Sequence, residues 1–473
     1  MISKSFSVVG LGKLGASMAA AIASRGFDVV GVDIDTRKVD AVNAGLAPIY
    51  ETGLAQLIAS NRDRLSATTS YDEAVSSSDL TFVVVPTPSE EDGMFSLDVL
   101  ASVFRELGRS LAGKGTYHTI VLTSTVLPGA TRYGLLPILE QESGREPGRD
   151  FGLCYSPEFI ALGTVIRDFL NPDFLLVGEL DERSGAVLER AYGSIVENGA
   201  PCRRMSLENA ELTKIALNAF VTTKITFANT LEDLCSRIPG GDVDVVTEAL
   251  GLDKRIGAHY LTGGLGYGGP CFPRDNVALS AFARAVGTSA PLAEATDAYN
   301  RSIVPRVLEE LGELVRPGTR VAVLGLAYKP LSDVVEESQG LTLARALAEA
   351  GAEVTAYDPL AGEAAAAELE PFVRVADSLA GCLERAETVL VTTPDPEFRR
   401  LSPEDLVASG GEVAVVDFWR FLPDRLGDSP GVRYVAPGGA GHGEDLAGSL
   451  ALLWNGLGEK SLAGADTAAA PSS

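Results

Sequence analysis

Short, nearly all-apolar runs alternate with longer amphipathic stretches over the first third of the chain. Phe6–Val9, Val29–Val32, Leu80–Val85 and Thr119–Leu122 have apolar residues at both odd and even positions. Strands buried on both faces of a parallel sheet read this way, and the stretches between them are long enough for crossover helices. From Met205 to about Arg237 the period changes. Leu212, Ile215, Ala216, Ala219, Phe220 and Thr223 recur as one apolar stripe, which predicts an unusually long helix. Further helices are expected over Asn276–Val286 and Pro291–Val315, and Pro317-Gly318 marks a boundary. Beyond it a second block repeats strand, glycine turn, helix and strand: Arg320–Leu324, Gly325, Gly340–Ala350 and Glu353–Asp358. Val389–Thr393 and Val413–Asp417 extend its sheet. The expected fold class is α/β, with two Rossmann-like domains joined by a central long helix and helical segment. The expected limits are 1–200, 201–316 and 317–460, with an Ala/Ser/Pro-rich tail over 461–473 read as disordered.

Charge and cysteine usage narrow the function classes. A net charge of −25 over 473 residues argues against nucleic-acid and anionic-membrane partners, while leaving room for a small anionic substrate held by a few cations. The five cysteines are an odd number without paired spacing, so a reduced, cytoplasmic chain is expected. Met1-Ile-Ser-Lys-Ser runs straight into a strand without a leader pattern. No apolar run approaches the roughly 18 residues of a membrane span. His118, His259 and His442 have no metal-ligand spacing, so no metal is expected.

Candidate chemistry sits at strand ends and in one glycine-rich loop. Gly10-Leu-Gly12-Lys13-Leu14-Gly15 lies between a strand and a helix, and Asp33 ends the next strand. Glycines there let the backbone reach a pyrophosphate at a helix N-terminus, and an acid at Asp33 can bond ribose hydroxyls and would repel a 2′-phosphate. NAD is therefore the expected cofactor. Pro86 and Thr87 end one strand, and Ser124 and Thr125 end another, as site residues or as turn caps. Glu158 follows a further strand, as a surface acid or a site acid. Glu211, Lys214 and Asn218 share a face of the long helix, pointing into a cleft or into solvent. Gly263–Pro270 holds five glycines just before Cys271, and Asp275 follows four residues later. A thiol entering a helix N-terminus is biased toward thiolate and is a candidate nucleophile, or it is a small residue in a tight turn.

The motifs VVGLGKLG, GVDID, PIYETGL, VVPTP, TSTVLPG, SPEFIALGTVIRDF, AELTKIALNAFVTTKITFAN, DKRIG, GYGGPCFPRD and GLAYKP occur in this order. By them the chain resembles the UDP-glucose/GDP-mannose dehydrogenase family over about residues 5–455. The resemblance implies NAD-dependent oxidation of C6 of a nucleotide-diphosphate sugar from alcohol to carboxylate, with two NAD and no metal. It implies a thiohemiacetal and then a thioester on Cys271, with Lys214 and Asn218 at the oxyanions. Asp275 would orient or deprotonate water or position Lys214, with Glu158 and Thr125 assisting. Gly10, Gly12, Lys13, Leu14, Gly15, Asp33, Lys38, Pro86, Thr87, Thr125 and Arg274 would hold the cofactor. Glu158, Lys214, Asn218, Arg255, Tyr267, Gly268 and Lys329 would hold the nucleotide sugar. A homodimer or higher homo-oligomer and a part in polysaccharide biosynthesis are also implied.

The substrate expected is a UDP-sugar, UDP-glucose or a UDP-N-acetylhexosamine, with GDP-mannose as the alternative. After GLAYKP the family often shows Asp-Asp-x-Arg-Glu-Ser, whereas this chain has Asp333-Val-Val-Glu336-Glu337-Ser338, so a cofactor-side Arg is replaced by Glu336. A two-electron β-hydroxyacid-type dehydrogenase would need neither Cys271 nor the third domain. A non-catalytic nucleotide-sugar-binding protein would not need Cys271, Lys214, Asn218 and Asp275 together.

Overall fold

The computed structural model describes residues 5–160, 163–407, 411–423, 426–439 and 450. The tail over 461–473 lies outside the described residues. Two compact units result, Met1–Ala219 with Arg274–Pro291, and Phe220–Pro273 with Leu292–Ser473.

The first unit is built on eight strands: β1 (Ser5–Val9), β2 (Asp28–Val32), β3 (Leu65–Thr68), β4 (Leu80–Val83), β5 (His118–Leu122), β6 (Phe151–Tyr155), β7 (Leu175–Glu179) and β8 (Cys202–Ser206). Their order is β3-β2-β1-β4-β5-β6-β7-β8, and only the β6–β7 pairing is antiparallel. The apolar runs are buried on both sides: Phe6, Val8, Leu80, Phe82, Ile120 and Val121 expose no surface. The helix Lys13–Ser24 packs its alanines and Met18 onto this sheet, nearly all of them wholly covered. A strand order that reverses between β1 and β4 opens a crevice at the carboxyl ends, where ligands of such sheets bind. Sequence reading placed everything from residue 201 in the helical segment. Instead Cys202–Ser206 pairs with β7, because this edge offers a ladder for its backbone groups.

The second unit holds β9 (Arg320–Leu324), β10 (Glu353–Tyr357), β11 (Arg374–Val375), β12 (Thr388–Val391), β13 (Val413–Asp417) and β14 (Val432–Val435). They form an all-parallel sheet in the order β11-β10-β9-β12-β13-β14. The dinucleotide fingerprint is missing from its first turn, yet its packing role is filled. Gly325 sits at φ +107°, and a Cβ on Gly340 would collide with the Gly325 carbonyl oxygen, as one on Gly15 would with that of Gly10. A longer loop separates the two glycines, but the helix approaches the strand as closely. Asp358 ends β10 and accepts backbone hydrogen bonds from Leu326, Ala327, Leu360 and Ala361.

The long helix spans Leu207–Ser236, and its first part belongs to the first unit and its remainder to the second. The apolar stripe read from the sequence is split. Ile215 and Ala219 are buried, but Leu212 is 43% and Phe220 67% exposed. The buried face also carries polar residues, Glu211, Lys214, Asn218 and Thr222 among them. Spacing locates a helix face, but it does not say which face the rest of the chain covers.

Candidate active site

At the first sheet's carboxyl edge, backbone shape makes an anion cradle. Gly10 holds φ +97°, and a Cβ there would collide with the Val84 carbonyl oxygen. A Cβ on Gly12 would meet nothing within 4 Å, so the space above it is open. Gly12 is also the N-cap of the helix Lys13–Ser24 and offers no side chain to the first-turn amides. A helix N-terminus of this kind favours an anion, and Lys13 and Leu14 stand half-buried in its first turn. Asp33 accepts from Leu11 N at 2.8 Å, Asp35 N at 2.9 Å and Lys38 Nζ at 3.1 Å. Its carboxylate thus fixes the glycine turn and holds Lys38 at the same edge. The next residue, Ile34, is 87% exposed and offers an apolar surface. An open glycine, an uncapped helix terminus and an acid at the second strand's end fit an NAD pyrophosphate and ribose.

Pro86 and Thr87 follow β4, and Thr125 follows β5. Thr87 Oγ1 donates to Thr125 O at 2.9 Å, which locks the two loops together. Ser124 donates to Val85 O and accepts from Val85 N, the turn-capping role. Glu211, on the helix face of Lys214 and Asn218, is fully buried and accepts from Gly129 N at 2.6 Å and Thr131 N at 2.8 Å. It therefore holds the loop that carries Thr125 against the long helix. Removing it would strand two amides, at about 1–3 kcal/mol each.

One turn along, the Lys214 ammonium donates to Glu158 O at 2.7 Å and lies 4.8 Å from the Phe159 ring centroid. A further turn on, Asn218 Nδ2 donates to Asp275 Oδ2 at 2.6 Å. Asp275 is 1% exposed, and its Oδ1 has no hydrogen-bond partner among the described residues. Burial raises the Asp275 carboxyl, while Arg274, Asn218 and Lys214 pull it down. Burial also pushes Glu158 up to about 8, the Lys214 charge only partly opposing it. Glu51 is a second anchor, this one outside the sequence reading: its carboxylate accepts from Gly163 N and Val165 N, beyond Glu158. Arg274 Nη1 donates to Thr87 O at 2.8 Å.

The glycine-rich loop is described within the second unit. The helix after it spans Phe272–Ala285, so Cys271 directly precedes its first turn, which includes Asp275. Cys271 is exposed, which removes the reading of a small residue buried in a turn. The glycines serve close packing. Cβ atoms on Gly264, Gly266 and Gly268 would strike Trp419, Asn300 and the Glu337 carbonyl oxygen, and Gly269 lies against the Tyr328 ring at φ +84°. Gly269 N donates to Glu336 O at 3.0 Å, so Glu336 supports the loop through its backbone while its side chain is exposed. Tyr267 is buried and held through its backbone by Asn300. Asn229 bonds Gly264 N and Leu265 O, and Arg420 bonds Gly263 O at 2.7 Å while paired with Asp244. Burial raises the Tyr328 phenol, with the charge of a Cys271 thiolate adding to it. Lys329 is half-buried, 5.7 Å from that ring's centroid. Arg255 is exposed and paired with Asp253 at 2.6 Å. Among the described residues no three His, Cys, Asp or Glu side chains gather as metal ligands would, and no helix is long and apolar enough to cross a membrane.

Three family models match in succession. They are the UDP-glucose/GDP-mannose dehydrogenase family's NAD binding domain over residues 4–196, its central domain over 208–302 and its UDP binding domain over 322–424. The UDP-glucose 6-dehydrogenase AglM of Haloferax volcanii is 41% identical over 89% of this chain and 98% of its own. The GDP-mannose 6-dehydrogenase of Azotobacter vinelandii is 34% identical over 89% and 97%. The structure of a UDP-glucose dehydrogenase from Pyrobaculum islandicum superposes with a TM-score of 0.83 at 35% identity, covering 93% of this chain and 98% of that one.

The raised Glu158 carboxyl has a consequence for folding. A carboxyl at about 8 in the fold, against an ordinary value of 4.5, binds a proton that it loses on unfolding over that window. Its contribution to stability is fully present below the ordinary value and is lost as pH rises through about 8. The stability of Glu158→Gln relative to wild type is therefore expected to improve from about pH 5 to about pH 8. Urea midpoints at both pH values check this, and a difference independent of pH contradicts it.

Proposed function

Because this chain belongs to the UDP-glucose/GDP-mannose dehydrogenase family, we propose that it oxidises C6 of a UDP-sugar from alcohol to carboxylate, UDP-glucose first among candidates. It is an NAD-dependent nucleotide-sugar 6-dehydrogenase, an oxidoreductase acting on a CH–OH group. The UDP reading is supported by the description of the third domain and by the relative at 41% identity. GDP-mannose is the second reading, on the relative at 34% identity. A nucleotide-uronate product suits polysaccharide biosynthesis, and five cysteines outside any disulfide suit the cytoplasm.

Held by Gly10, Gly12, Lys13, Leu14, Gly15, Asp33 and Lys38, with Pro86, Thr87 and Thr125 at the facing loops, NAD supplies a hydride acceptor used twice per sugar. C6 loses its hydride to that acceptor and O6 loses its proton to water, leaving an aldehyde. The Cys271 thiolate adds to that carbon, and the new alkoxide is stabilised by the Lys214 ammonium and the Asn218 amide. Loss of the second hydride turns the thiohemiacetal into a thioester. Water then adds to its carbonyl, the C–S bond breaks, thiolate departs and carboxylate is released. Asp275 orients this water or takes its proton through Oδ1, the oxygen not bonded to Asn218. Glu158, protonated near neutral pH at a value of about 8, assists through the hydrolytic water, as does Thr125. Arg255, Tyr267, Gly268 and Lys329 hold the nucleotide sugar, with Arg255 exposed enough to reach a ligand or a partner subunit. The observation that carries this reading is the buried Asn218–Asp275 hydrogen bond, in the first turn of the helix that Cys271 enters.

Phe220, Phe227 and Leu234 recur every seventh residue along the long helix and are 67%, 52% and 49% exposed. Such an apolar row on a helix calls for a partner surface, and a second copy of the chain supplies one in a homodimer.

Two NADH per sugar are expected with UDP-glucose, and Cys271→Ser is expected to lose steady turnover. One NADH per sugar with the variant unimpaired would refute the cysteine route. Light scattering is expected to give two chains for wild type and one for Phe227→Asp, and a monomeric wild type at assay concentration would contradict the dimer.

A further inference from the structure

A closed circuit of hydrogen bonds runs through the first unit. From the long helix, Glu211 holds Gly129 and Thr131 in the loop after β5. In that loop Thr125 O accepts from Thr87 Oγ1, and Thr87 O accepts from Arg274 Nη1. Arg274 is followed by Asp275, which accepts from Asn218, two turns along from Glu211 on the same helix. The Arg274 guanidinium also lies over the Phe95 ring, 4.3 Å from its centroid. Phe95 belongs to a small core with Leu127, Ile215 and Ala278. Gly93 sits against the Val277 side chain, which fits the Phe272–Ala285 helix to the Phe95 loop. The arginine is therefore fixed at one end by a carbonyl and on its face by an aromatic ring. Its remaining edge faces Asp275: Arg274 Nε lies 3.7 Å from Asp275 Oδ1. Neither atom has a hydrogen-bond partner among the described residues.

We propose that Arg274 is a positioning residue for Asp275 rather than a ligand of the cofactor phosphates, coupling the Thr87–Thr125 loops to the carboxylate. The guanidinium is already committed to Thr87 O and Phe95. Its charge stands close enough to favour ionised Asp275, but too far to occupy Oδ1 with a hydrogen bond. That oxygen keeps its lone pairs for a water proton. Lys214 and Asn218 on the long helix and Tyr155 on β6 are the other groups facing this carboxylate. Arg274 is the first among its charge-stabilising neighbours. The inference rests on the reading that Asp275 acts on the hydrolytic water.

The test is steady-state kinetics of the full chain with NAD and UDP-glucose or GDP-mannose, whichever it oxidises, across pH. Arg274→Met is expected to lower kcat by about 10- to 100-fold and to move the acid limb of the kcat profile to higher pH. KM for NAD is expected to change by less than about threefold. Arg274→Lys, which keeps the charge but cannot hold both neighbours, is expected to restore much of the acid limb and only part of kcat. A raised KM for NAD with unchanged kcat and an unmoved acid limb would overturn the proposal in favour of phosphate contact. Asp275→Asn separates the two levels of the argument. Full kcat in that variant sinks the reading of Asp275 itself, whereas an impaired Asp275→Asn beside a normal Arg274→Met sinks only the positioning role. Should Arg274→Met not fold, Phe95→Leu carries the test. It removes the plane under the guanidinium and is expected to lower kcat and shift the acid limb in the same sense, and an unchanged profile overturns the proposal.

Discussion

The hydrogen bond from Asn218 to the buried carboxylate of Asp275 is the constraint on which the proposed chemistry depends. A carboxylate that is 1% exposed is costly unless it is held by donors and nearby cations. Here one oxygen is held at 2.6 Å and the other is left open toward Arg274. The cost of burial is thus offset by a hydrogen bond on one side and by the Arg274 charge on the other, and the proposed water chemistry uses the side without a hydrogen bond. The long helix makes this possible because its covered face carries Glu211, Lys214 and Asn218 at successive turns. Each fixes a different piece of chain: the Gly129–Thr131 turn, the Glu158 carbonyl and Asp275.

Much of the frame was legible from periodicity and glycines. Strands buried on both faces show as unbroken apolar runs, and the glycine fingerprint with Asp33 has a spacing that only the first βα turn demands. The second Rossmann-like domain was legible as a repeat, although the close approach of Gly340 to Gly325 was not. The two glycines are separated by a long loop, and no local spacing links them. Strand β8 escaped because Cys-Arg-Arg-Met-Ser is not apolar; its pairing is set by an open sheet edge.

Residue type and motif coincide at Cys271 and Asp275, where the fold exposes the thiol and buries the carboxylate. The site was not legible where a residue acts through the backbone of a distant segment. Glu211, Glu51, Asn229, Asn300 and Arg420 all hold loop amides or carbonyls, and nothing near them in the chain marks that role. The apolar stripe of the long helix illustrates the same limit. Phe220 belongs to a helical pattern, but its exposure depends on what covers the helix. The five glycines of the Cys271 loop mark close approach of other groups, but their spacing does not name those groups. In the fold they first admit Trp419, Asn300, Tyr328 and the Glu337 backbone, which shape the loop before any ligand arrives.

The most direct test of the central claim is to identify the covalent intermediate. Asp275→Asn, which lacks the carboxylate proposed to act on the hydrolytic water, would be mixed with NAD and UDP-glucose, quenched in acid, digested and weighed by mass spectrometry. The account predicts a sugar-nucleotide acyl adduct on the peptide carrying Cys271, appearing only when NAD is present. Turnover with no adduct there, or an adduct on another residue, would contradict it.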